Sequence, residues 1–182
     1  MSEKPLCVLG VLRTDLGLAI KAEMLKWLLP NYEVICVEQE SPGIMFEYPA
    51  LKTAAAISVA RNKPVLYLHT KGASNPVVYR HQVMVRRLWA DQFTNNKAAY
   101  FSAVNVEEPI IACPYIGDKR QTWWNGMVIN QVAAQNILDK MELTDRRHYY
   151  EEMCDEINIK VVGILQDKAI PNDDMIKLTL GL

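Results

Sequence analysis

The sequence predicts an α/β domain of three layers, α/β/α, built on a mostly parallel sheet. Two observations carry this. Leu6-Cys7-Val8-Leu9-Gly10-Val11-Leu12 is a continuous apolar run, the pattern of a strand buried on both faces. Two further short strands, Glu33–Val37 and Pro64–Leu68, alternate with helical patterns, which implies right-handed β-α-β crossovers and helices on both faces of the sheet. With 182 residues, about half of them apolar, the chain has the size of one domain, taken as residues 1–182.

The elements follow in order. After the first strand, Thr14 is placed to cap a helix whose Leu16, Ile20, Met24, Trp27 and Leu28 share one face, and Pro30-Asn31 ends it. The second strand leads into the turn Glu40-Ser41-Pro42-Gly43, and Pro49 suits the first turn of an alanine-rich helix reaching Asn62. Beyond the third strand the pattern predicts helices over residues 78–93 and 95–104 and a short strand at Ile110-Ile111-Ala112-Cys113. An apolar helix through Ile129, Val132, Ala133 and Ile137 comes next. An acidic helix over residues 146–156 then precedes a last strand over residues 159–165.

Composition excludes several classes. Twenty basic residues against 21 acidic ones give a formal charge of -1, so no global field draws the chain to nucleic acid or to an anionic membrane. Any anion site has to be local. Cys7, Cys36, Cys113 and Cys154 lie far apart, with no C-x-x-C pair and no zinc-ligand spacing, and three of them sit in apolar stretches as core residues. An apolar run of seven residues near the amino terminus is too short for a signal core or a membrane span, and a cytoplasmic location is expected.

Ligands of open α/β sheets bind outside the carboxyl ends of the strands, and four such places are polar here. They are Arg13-Thr14-Asp15, Glu38-Gln39-Glu40, His69-Thr70-Lys71-Gly72 and the stretch from Tyr115 to Asn125. The third combines an imidazole, a hydroxyl, an ammonium and a glycine, a set suited to a phosphate, although it is neither a Walker loop nor a G-x-G-x-x-G turn. A surface turn with incidental charges has the same composition. Glu38 and Glu40 are placed to accept hydrogen bonds from a ribose, or are solvated loop carboxylates. Trp123 and Trp124 suit a platform for a sugar ring with Asn125 beside it, or belong to the core. Arg80, His81, Arg86 and Arg87 lie on one helix, where Arg80 is the first choice for a pyrophosphate contact and a solvated face is the alternative.

The segments Phe46-Glu47-Tyr48-Pro49-Ala50-Leu51, Val65 to Ser74 with its Tyr67-Leu68-His69-Thr70-Lys71-Gly72, Tyr79-Arg80 and Thr122-Trp123-Trp124-Asn125 together resemble a known group. The group comprises small bacterial and viral glycosyltransferase-like proteins of the GT-A type. Its pattern is an aromatic-Glu-aromatic-Pro-x-Leu segment, a Tyr-(Ile or Leu)-His-Thr-Lys-Gly strand end, a Trp-Arg helix start and a Gly-Asn-Phe-Trp-Trp segment. The likeness runs over residues 46 to 155. Thr122 stands where the group has asparagine, and Tyr79 where it has tryptophan.

The resemblance implies transfer of a hexosyl group from a nucleotide-diphosphate donor to a glycan or other hydroxyl acceptor, as in polysaccharide biosynthesis. The resemblance implies donor binding near Glu38, Glu40, His69, Thr70 and Lys71; Arg13 and Arg80 are expected to complete the donor site, and Trp123, Trp124 and Asn125 to take the acceptor. Glu152, His69 and Asp118 are the groups available as general base. No D-x-D metal motif stands at the strand end, so no cofactor is expected, and Lys71 and Arg80 would neutralise the departing diphosphate in place of a divalent cation. The rival expectation is a binding or assembly module that keeps the fold without the chemistry. A phosphotransfer enzyme using Lys71 is a third, disfavoured by the missing Walker loop.

Overall fold

The computed structural model describes residues 3–40, 47–71, 73, 79–116, 122, 126–144, 146 and 149–166, with the backbone alone at Tyr79, Arg80, His81, Glu151 and Gln166. In chain order the elements are β1 (Leu6–Leu12), α1 (Asp15–Asn31), β2 (Glu33–Gln39), α2 (Tyr48–Arg61), β3 (Val65–His69) and α3 (Tyr79–Asn95). They continue with α4 (Lys97–Ala103), β4 (Ile110–Tyr115), β5 (Met127–Ile129), α5 (Gln131–Lys140), α6 (Tyr149–Glu156) and β6 (Lys160–Gln166).

The strands form one six-stranded sheet in the order β2-β1-β3-β5-β4-β6. β1 pairs in parallel with β2 and β3, and β4 with β6, whereas β5 is antiparallel to both β3 and β4. The sheet is therefore mixed, with five strands in one direction and β5 reversed between them. The sequence reading placed Ile129 in a helix; it belongs to β5, because Ile129 pairs with both Val65 and Ile111, and the helix starts only at Gln131. Strand pairing also extends β2 beyond Val37, since Glu38 and Gln39 pair with Val11 and Leu12. His69 likewise closes β3 opposite Gly10 rather than opening the loop that follows.

Alternation along the strands feeds two cores. Cys7, Leu9 and Val11 of β1 and Leu66 and Leu68 of β3 pack with α1, α3 and α4, while Leu6, Val8, Val65 and Tyr67 pack with α2, α5 and α6. Helices thus flank both faces. α1 and α2 cross opposite faces in opposite directions along the sheet, so their crossovers share a hand. The connection through α3 and α4 returns over the face of α1 while stepping the other way, and so has the opposite hand. It lays α3 beside α1, over the carboxyl ends of β1 and β3.

Local chemistry explains the junctions. Thr14 caps α1 by accepting the Gly17 N–H at 3.0 Å, and a Cβ at Gly17 would stand 1.9 Å from the Leu12 carbonyl oxygen, so only glycine permits this strand-to-helix turn. Pro49 sits in the first turn of α2, and Asn62 ends that helix in the left-handed conformation with φ 49°. Asn130 is fully buried between β5 and α5. Its Oδ1 accepts the N–H groups of Ala133 at 2.8 Å and Ile110 at 3.3 Å, and its Nδ2 donates towards the carbonyls of Val104, Val106 and Glu108. One side chain thereby caps α5 and ties it to the approach to β4. All four cysteines are free thiols, with Cys7, Cys113 and Cys154 buried and Cys36 half-buried.

Candidate functional site

α1 leaves β1 towards β2, and α3 leaves β3 towards β4 on the other side, so the strand order switches between β1 and β3. Open α/β sheets form their crevice outside the carboxyl ends of such strands. Thr70 staples this end together: its N–H donates to the Gly10 carbonyl at 2.9 Å, and its hydroxyl accepts the Leu12 N–H at 3.1 Å. At 5% exposure, Thr70 first of all fixes the spacing of β1 and β3.

At the β1 and β2 ends, Arg13 meets Glu40 at 2.7 Å and Glu38 at 3.5 Å, and Lys21 meets Glu38 at 2.5 Å. The hydrogen bond and charge of Lys21, with Arg13 behind it, hold the Glu38 carboxyl below the usual carboxylate range. These three predicted donor residues come together, as a surface ion-pair network.

His69 is the centre of a second group. Its Nε2 lies 3.4 Å from Glu47 Oε1, its ring meets the indole of Trp89 edge-on with centroids 5.6 Å apart, and Tyr67 lies 6.3 Å away. Glu47 is the residue before α2 yet makes no capping hydrogen bond with its side chain, which leaves the carboxylate at the imidazole. Burial, reinforced by the Lys71 ammonium, pushes the His69 pKa well below the usual imidazole value, so the ring is neutral despite the nearby carboxylate. A proton on Nε2, facing Glu47, leaves Nδ1 with its lone pair. Nδ1 has no hydrogen-bond partner among the described residues, and neither do the buried Tyr67 hydroxyl and Trp89 Nε1. Burial, Glu47 and Tyr150 together keep the Tyr67 phenol protonated. Gly126 closes the far side of the indole: a Cβ there would stand 2.3 Å from Trp89 Nε1.

Lys71 is half-buried beside this group, and Arg86 of α3, only 1% exposed, donates from Nη1 to the Lys71 carbonyl at 2.7 Å and reaches to 3.6 Å from Glu23. Arg86 therefore shapes the loop that carries the candidate cation, while its neighbour Arg87 is exposed. Glu152 lies half-buried on α6. Asp118, Trp123, Trp124 and Asn125 lie outside the described residues, as does the side chain of Arg80.

Glu47, Tyr67, Trp89 and Arg86 are the site residues that reading for polar strand ends missed. Glu47 had a signal, because it lies in one of the segments that carry the resemblance. Arg86 stood in the basic stretch of its helix, where Arg80 was the first choice, and Trp89 had no signal, since only packing decides which side of α3 faces the sheet.

Among the described residues no three His, Cys, Asp or Glu side chains converge as metal ligands. At the end of β3 the buried His69 imidazole meets the Glu47 carboxylate, while the Thr70 hydroxyl is engaged with the backbone of β1. None of the helices among the described residues is long and apolar enough to cross a membrane. Comparison with known protein families, curated proteins and solved structures finds no match.

Proposed function

We propose that the protein is a glycosyltransferase-like enzyme that moves a sugar from a nucleotide-diphosphate donor to a hydroxyl acceptor. The observation that carries the reading is the Glu47–His69 contact at 3.4 Å, which unites two of the sequence segments that resemble the GT-A type at a strand switch point. In this reading Glu47 orients the imidazole, and Nδ1 of His69 takes the proton of the acceptor hydroxyl as its oxygen attacks the anomeric carbon. The bond from that carbon to the diphosphate oxygen breaks, and the diphosphate leaves with the electron pair. Lys71, set by Arg86, and Arg80 offset its charge, so the step runs without a divalent cation. Nδ1 is out of contact with water in this structure, so the acceptor has to open the site to reach it.

The test measures release of nucleoside diphosphate from a panel of nucleotide sugars, with and without chelator, for the wild type, His69→Ala and Glu47→Gln. One donor should be turned over in chelator, and His69→Ala should slow it by about 10²–10⁴-fold. Glu47→Gln should lower kcat with less change in KM. Absence of turnover together with absence of thermal stabilisation by every donor would replace this reading with the binding or assembly module.

A further inference from the structure

We propose that the protein carries a second ligand site, at the amino-terminal end of the strands, for a small organic anion with an apolar ring. A cavity of about 330 Å³ opens there, within the ~300–1,000 Å³ range of small-molecule pockets. Four cations line it, Lys4, Arg61, Lys63 and Lys97, against one carboxylate, Glu3. In a chain of net charge -1 this is a strong local excess of positive charge.

The fold gathers these charges from three separate segments. Pairing of Leu6 with Val65 sets Lys4-Pro5 beside Lys63-Pro64. The left-handed turn at Asn62 lets α2 end in Arg61 at the same rim. Lys97 opens α4, and Phe101, four residues on, shares its face and adds a ring to the wall. The ammonium groups have fixed anchors: Lys4 donates to the Leu29 carbonyl at 2.8 Å, Lys63 pairs with Glu3 at 2.5 Å, and Lys97 lies 5.5 Å from the centre of the Tyr32 ring. Anchored cations around an apolar floor suit a ligand with both features, a flat ring against Phe101 and the prolines and an anionic group at the rim. Four residues of β1, from Leu6 at the pocket to Gly10 opposite His69, put roughly 13 Å of strand between this pocket and the His69 group, so the inference stands without the sugar-transfer reading.

The test is a titration of the isotope-labelled full chain, followed by amide resonances, with 1-naphthyl phosphate as probe and inorganic phosphate and 1-naphthol as controls. The expected result is saturable binding that moves the amides of Lys4, Lys63 and Lys97–Phe101, at least tenfold tighter than either control. Lys63→Gln combined with Lys97→Gln should weaken it at least tenfold, and Phe101→Leu should erode the advantage over inorganic phosphate. Shifts centred on His69, shifts scattered over surface lysines, or equal affinity for inorganic phosphate would each overturn the proposal. Should the double variant fail to fold, the wild-type map and the two controls still decide.

Discussion

At the amino-terminal end of β4, Asn130 is fully buried and uses both ends of its amide, accepting two backbone N–H groups and donating to backbone carbonyls. At the carboxyl end of β3, Tyr67, His69 and Trp89 bury a hydroxyl, a ring nitrogen and an indole N–H without partners among the described residues. Proteins satisfy nearly all buried polar groups, so the first arrangement is what stability alone produces and the second is not. An orphaned buried polar atom lowers stability by about 1–3 kcal/mol. Three of them lie around one strand end, beside the Glu47–His69 contact that carries the proposed function.

The comparison breaks first at Asn130. Asn130→Ala removes the cap of α5 and strands the carbonyls of Val104, Val106 and Glu108, so it should destabilise the protein by about 3 kcal/mol in urea unfolding. A loss below about 0.5 kcal/mol would mean that solvent replaces the amide, and the contrast between the two ends would fail.

The next largest effect is a pH dependence. The folded state holds His69 neutral, with a pKa depressed by burial and by Lys71, while the unfolded chain takes up the proton near the usual value of about 6.5. Stability from this residue is therefore full above that pH and is lost as pH falls below it. Between pH 7 and pH 5 the wild type should lose stability through this group, and His69→Gln should remove that share of the slope, measured by urea unfolding at each pH. An unchanged slope in the variant would show that folding leaves the His69 pKa where it is in the unfolded chain, and a reversed change would show an imidazole held charged in the folded state by Glu47.

How far the sequence reveals these two ends differs with the kind of signal. The continuous run Leu6–Leu12, the cap at Thr14 and the proline at the start of α2 are local patterns, and each stands where the pattern put it. β5 left no such trace: its three apolar residues run straight into α5, and only pairing with β3 and β4 makes them a strand. Helices on both faces were legible, but the reversed strand that makes the sheet mixed was not. At the site, His69, Thr70 and Lys71 stood out as polar residues closing an apolar strand. Their partners did not, because Glu47 and Trp89 reach His69 from α2 and α3 through tertiary packing that no spacing encodes.

The smallest expected effect sharpens the comparison most. Tyr67→Phe keeps the ring in its buried place between β3 and the α2 side of the sheet and removes only the orphaned hydroxyl. If that oxygen has no partner, the variant should be as stable as the wild type or more stable by about 1 kcal/mol, measured by urea unfolding at pH 7. A loss of more than 1 kcal/mol would mean that bound water or a ligand already satisfies the hydroxyl. Paired with the assay of nucleoside diphosphate release, the same variant separates two origins of the orphan. A gain in stability with unchanged turnover makes the hydroxyl a tolerated packing defect, whereas a gain in stability with reduced turnover makes it a group retained at a cost for its contact with substrate.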